Sequence, residues 1–167
     1  MMPKSVRLIG GLGLTLSAVL MMSDAMISAQ LPNPYGAPIT GESAKKVAAA
    51  ALAEARKNGW TMAAAVVDPA GDLVYFEKLD GTQAASVNIA VDKARSSARF
   101  KRPTKALQDA LAAGGEGLRI LALQGAVAAE GGVPIVMDGK IVGAIGLSGG
   151  TGQQDGVAAN AGVAAVK

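Results

Sequence analysis

The 167-residue sequence contains no cysteine and no histidine. Those two absences exclude disulfides, thiolate nucleophiles, Ser-His-Asp and Cys-His catalysis, the usual zinc sites and any imidazole proton relay. Acid/base chemistry is left to carboxylates, lysine, tyrosine or a bound cofactor. Aromatic residues make up 3% of the chain, which leaves no platform for stacking single-stranded nucleic acid. Charged residues make up 17%, below the usual ~25%. With 50% hydrophobic residues, that composition is of a folded chain and not a disordered one. What fills the space is small: 34 Ala and 22 Gly, a third of all positions.

Residues 1–29 carry the order of a secretory signal peptide: basic Lys4 and Arg7, the apolar run Leu8–Met22, then small residues ending at Ala29. The run is shorter than the ~20 residues of a membrane span. Cleavage after Ala29 predicts a periplasmic or secreted chain, with no stable membrane span, that begins at Gln30. Its net charge of +2 is too small for a general binder of polyanions or nucleic acid.

Residues 30–39 hold Pro32, Pro34 and Pro38 and predict an extended N-terminal arm. Residues 40–167 form one domain. Thr40 is a good N-cap for a helix running to Asn58, with Ala44, Val47, Ala48, Ala51, Leu52 and Ala55 on one apolar face. Thr61–Asp68 and Leu73–Leu79 form a hairpin around Pro69-Ala70-Gly71-Asp72. Helical spacing returns over Ala84–Phe100, Pro103 breaks it, and a shorter helix covers Thr104–Ala113. Gly125–Glu130 is taken as a strand. Val133–Met137 and Ile141–Leu147 form a second hairpin around Asp138-Gly139, and a glycine-rich loop opens a last helix. Tight turns require antiparallel pairing, so the fold class is α+β, a five-stranded antiparallel sheet flanked by helices.

Three groups of residues carry chemistry. The turn Gly146–Gly152 offers backbone N–H groups of Ser148, Gly149, Gly150 and Thr151 at a helix start, an arrangement suited to a carboxylate or phosphate and also common as a plain strand-to-helix connection. Lys93, Arg95, Arg99, Lys101, Arg102 and Lys105 place six cations within 13 residues, either a rim for an acidic ligand or a solvated face. Pro103 fixes the backbone beside Arg102. Lys93 and Asp155 are the candidates for acid/base work. Asp68, Asp72, Glu77 and Asp80 crowd one hairpin without the spacing of a calcium loop, so no metal site is expected. Ser43-Ala44-Lys45-Lys46 lacks the companion motifs of a Ser–Lys acyltransferase and belongs to the first turn of its helix.

The segments Val67-Asp68-Pro69-Ala70-Gly71, Asp80-Gly81, Ala90–Ala94 with Lys93, Phe100-Lys101-Arg102-Pro103-Thr104, Gly131-Gly132-Val133-Pro134-Ile135, Asp138-Gly139, Gly143–Gly150 and Gln154-Asp155 with Ala161-Gly162 stand together in one order. In that combination the chain resembles the GlcG/HbpS-type haem-binding protein family, and also the C-terminal domain of some corrinoid adenosyltransferases. The resemblance runs from about Thr40 to the C-terminus. It implies a profilin-like α/β/α domain, assembly into a homo-oligomer, and haem as a possible cofactor. It departs from the haem-binding members in lacking histidine. Replacement iron ligands would have to come from Met62, Met137, Tyr75, Lys93, Ser148 or Thr151. Three functions follow: an exported binder of haem or a related tetrapyrrole, an enzyme acting on a small carboxylate or hydroxy acid, and a non-catalytic periplasmic sensory or accessory module. For the first, the ligand's carboxylates are expected between Arg102 and the Ser148–Thr151 amides, with Lys93 nearby.

Overall fold

The computed structural model describes residues 33–166; the expected signal peptide and the first residues of the arm lie outside them. Helix α1 (Gly41–Lys57) begins where Thr40 accepts the Ser43 N–H, and it ends at Asn58. Strands β1 (Ala63–Val67) and β2 (Leu73–Lys78) form the first hairpin. Helices α2 (Ser86–Phe100) and α3 (Thr104–Ala112) follow, the break falling at Pro103 as its fixed φ requires. A 3-10 helix, Gly115–Ala122, leads to β3 (Gly132–Met137), β4 (Lys140–Ser148) and α4 (Gly152–Ala164). Asp138 (φ +48°) and Gly139 (φ +71°) turn the second hairpin.

The sheet has four strands among the described residues, ordered β2-β1-β4-β3 and antiparallel throughout. The expected fifth strand, Gly125–Glu130, is irregular. Its amides are taken by side chains instead of a ladder: Val127 N–H donates to Ser96 Oγ at 3.0 Å and Glu130 N–H to Gln108 Oε1 at 2.8 Å. The α+β class and the layered architecture hold. Pro134 lies on β3, an edge strand, where a missing N–H is tolerated.

Helices α1 and α4 cover one face of the sheet. Their Val47, Leu52, Ala159 and Val163 pack on Met62, Val66, Ile145 and Leu147. Helix α2 covers the other face mainly with alanine, Ala90, Ala94 and Ala98 against Ala63, Ala65, Val67 and Ala144, with the partly buried Val91 and Phe76 packed beside them. Gly146 permits this approach, because a Cβ there would strike the Ala90 carbonyl and the Ala94 amide. Buried methyls contribute only about 0.8 kcal/mol each, so this layer is held by the number and closeness of its contacts.

The arm is knit into its own domain. Strand β1 reaches along β4 only as far as Ala144, and beyond that point Gly36 N–H bonds the Ile141 carbonyl and Ile39 N–H the Val142 carbonyl, both at 2.8 Å. Tyr35 Oη donates to the carbonyl of Ala98 at 3.0 Å. No helix among the described residues is long and apolar enough to cross a membrane.

Candidate functional site

Lys93, on the sheet-facing side of α2, and Asp155, in the first turn of α4, are 3% and 2% exposed. They meet behind the C-terminal end of β4. Lys93 Nζ donates to Asp155 Oδ2 at 2.7 Å and to the Leu147 carbonyl at 3.1 Å. The other carboxylate oxygen accepts the Gly150 N–H at 3.0 Å. Burial pushes the Asp155 carboxyl above its ordinary 3.8, against the opposing pull of Lys93 and the Gly150 amide. The structure thus brings the two acid/base candidates together as one matched pair.

Gly131 lies directly over that pair. Its φ is +128°, and a Cβ there would stand 2.7 Å from the Leu147 carbonyl oxygen and 2.9 Å from Lys93 Nζ. Only glycine fits between the pair and the space above. That space is a cleft of about 350 Å³ whose walls include Pro103, Lys105, Ala106, Gly131, Val133 and Asn160. Asp109 and Glu130 also border it. Lys105 is bound to Asp109 at 2.7 Å, which holds its ammonium above the ordinary lysine value.

The glycine-rich turn answers its own needs. Thr151 caps α4 by accepting the Gln154 N–H, while Gln154 Oε1 accepts the Thr151 N–H at 2.8 Å, and Gly150 N–H is held by Asp155. Ser148 Oγ is buried and donates to Ser86 Oγ at 3.2 Å, and Gly149 lies against the Thr61 carbonyl. The amides of Gly150 and Thr151 therefore already have acceptors within the chain. The Thr151-Gly152-Gln153-Gln154 spacing is a capping box, the sequence signal that announces this use of Thr151. Arg102 is exposed, and its Nε donates to the Phe100 carbonyl at 3.0 Å. Among the described residues no hydrogen bond or ion pair joins it to Ser148–Thr151, but it immediately precedes Pro103 of the cleft wall.

An iron-bearing tetrapyrrole would need an axial ligand, and the side chains present do not fit that task at the cleft. Lys93 is engaged beneath Gly131, Met62 is fully buried, and Thr151 and Ser148 are occupied. Tyr75 Oη donates to Glu77 at 3.0 Å, which raises the phenol above its ordinary value and keeps its proton on. Met137 is half-buried and borders a different groove, beside the arm. Every buried side-chain nitrogen or oxygen among the described residues has a partner, so none is left aimed at a missing ion.

Protein GlcG of Escherichia coli K12 is 35% identical over 110 residues, which is 66% of this chain and 81% of that protein. A double mutant of Streptomyces reticuli HbpS superimposes with a TM-score of 0.73 at 26% identity, covering 98% of this chain and 99% of its own. The PduOC:haem complex superimposes with a TM-score of 0.70 over 78% of this chain and 96% of its own, and at 23% identity it attests the fold alone. A family model described as "Haem degrading protein HbpS-like" matches residues 39–164. With that match spanning the sheet, helices α1 to α4 and the Lys93–Asp155 pair, the chain belongs to the HbpS-like family.

Proposed function

We propose that this protein is an exported, homo-oligomeric binder of haem or a related tetrapyrrole, which it holds by ring-face contact and by charge pairing with the ligand's carboxylates. The observation that carries this reading is membership of the HbpS-like family over residues 39–164. The cleft supports it with a wall of Pro103, Ala106, Gly131, Gly132 and Val133, an apolar surface against which a ring can lie. Arg102 is an exposed cation outside any ion pair among the described residues, next to that wall, and its planar fork suits a carboxylate. The chemistry haem itself would supply is electronic and belongs to its iron; the chain's part is to bind and orient the ring.

Export rests on the Lys4, Arg7 and Leu8–Met22 order. Assembly is supported by Leu118, Leu121 and Leu123, which stand exposed together on and after the 3-10 helix, Leu121 at 74%. Intact mass and light scattering on exported material test both points. A chain that retains residues 8–22, or a particle of a single chain, would refute them.

The decisive experiment is a haem titration of Arg102→Ala beside the wild type, with circular dichroism to establish that both are folded. Loss of one charge-assisted contact weakens binding about tenfold to a hundredfold, or about 1.5–3 kcal/mol. Equal affinities remove Arg102 from the site. The absence of any Soret change in both proteins moves the ligand from haem to a small organic acid.

A further inference from the structure

Two of the cations on α2 take no part in the cleft described above. Arg95 and Arg99, one turn apart, both direct Nε at the β1–β2 turn, Arg95 to the Gly71 carbonyl at 3.1 Å and Arg99 to the Ala70 carbonyl at 2.8 Å. Gly71, at φ +93°, lies against the Arg99 guanidinium, where a Cβ would stand 2.7 Å from Nε. The turn thus holds both guanidinium planes by their inner nitrogens. The terminal nitrogens of Arg99 make no hydrogen bond or ion pair among the described residues, and Arg95 Nη1 reaches Asp92 only at 4.0 Å.

Both arginines border a second cleft, of about 590 Å³, with Asp92 beside them and Gln124, Gly125 and Val127 opposite. The opposite wall is tied to the same helix, because Val127 N–H donates to Ser96 Oγ at 3.0 Å. The two walls are therefore held at a fixed spacing, and the volume falls within the range of small-ligand sites.

We propose that Arg95 and Arg99 form a binding site for the phosphoryl dianion of a small molecule, separate from the tetrapyrrole cleft. A guanidinium fixed through Nε keeps terminal N–H donors for an oxyanion, at little further cost in ordering the side chain. Two of them on adjacent turns match a doubly charged, tetrahedral group with several acceptor oxygens. Asp92 offsets one of the two positive charges, so a monoanion gains little over the contact that Asp92 already supplies, whereas a dianion gains from both forks. Gln124 adds a neutral amide to the opposite wall.

The test is a titration of the full-length chain with inorganic phosphate at constant ionic strength and slightly alkaline pH, followed by nitrogen-15 NMR of the arginine Nε–H groups and the Gly125 and Val127 amides. Saturable shifts at these positions are expected, with affinity about tenfold to a hundredfold weaker in Arg95→Gln and Arg99→Gln. Arg99→Lys keeps the charge and loses the fork, so it too should bind at least about tenfold more weakly while retaining the wild-type amide spectrum elsewhere. Lys45→Gln, on exposed α1 surface, controls for net charge and should bind as the wild type does. The proposal is overturned if shifts do not saturate, if Arg99→Lys binds phosphate as tightly as the wild type, if Lys45→Gln weakens binding as much as Arg99→Gln, or if acetate binds as tightly as phosphate.

Discussion

Lys93 and Asp155, 62 residues apart in sequence, form a 2.7 Å ion pair that joins α2 to α4 behind the end of β4. Because Lys93 also holds the Leu147 carbonyl and Asp155 the Gly150 amide, one pair fixes two helices, a strand end and the turn between them.

Removing one member leaves a buried charge without its counter-ion. Lys93→Met should cost about 3–5 kcal/mol, read as a shift in the urea midpoint. The double variant Lys93→Met with Asp155→Asn removes both charges and keeps an acceptor for Gly150, so it should be more stable than the single variant. A double variant no better than the single one would show that the pair's charges are not what matters.

The same carboxylate sets a pH dependence of definite sign. Burial raises the folded-state value of Asp155 above 3.8, so the folded chain holds this proton more tightly than the unfolded chain does. The contribution is fully present below 3.8, declines as pH rises from there through the raised value, and is lost above it. Urea midpoints across that window should carry a falling component in the wild type that is missing from the Lys93→Met, Asp155→Asn double variant. A component rising with pH would contradict the assignment.

Gly131→Ala tests the roof over the pair. The new methyl would meet the Leu147 carbonyl, Asp155 Cβ and Lys93 Nζ at 2.7, 2.8 and 2.9 Å. Gly139 also has positive φ, +71°, but nothing lies within 4 Å of a Cβ there. Both substitutions strain the backbone, and only Gly131→Ala should add about 1–3 kcal/mol of overpacking. Equal midpoints for the two variants would mean that the roof yields.

If the tetrapyrrole is held by its ring and carboxylates, iron contributes little to affinity. Metal-free protoporphyrin should bind within about tenfold of haem, and the haem spectrum should lack the signature of paired histidine ligands. Haem that binds more than about a hundredfold tighter than the metal-free ring would establish a protein ligand to iron.

Local structure was legible in this sequence wherever one element satisfied its own requirements. Thr40 with the apolar spacing through Ala55 located α1, and Asp138-Gly139 located the second hairpin. Gly125–Glu130 misled because small residues with one valine are compatible with a strand, while the acceptors that claim its amides, Ser96 and Gln108, lie on helices distant in sequence. The candidate site was legible residue by residue and not as an arrangement. Lys93 and Asp155 stood out separately, but no local spacing brings them together. The Ser148–Thr151 amides gave the pattern of an anion cradle, yet Asp155 and Gln154 of the same helix supply the anion and the acceptor.

The alanine layer under α2 restricts how this domain can change over generations of substitution. Ala90, Ala94 and Ala98 cannot be trimmed except to glycine, so nearly every replacement enlarges the layer and lifts the helix from the sheet. A lifted helix would carry Lys93 away from Asp155 and Arg95 and Arg99 away from the β1–β2 turn in a single displacement. The smallest side chains in the molecule therefore act as the gauge that sets the height of its most consequential charges.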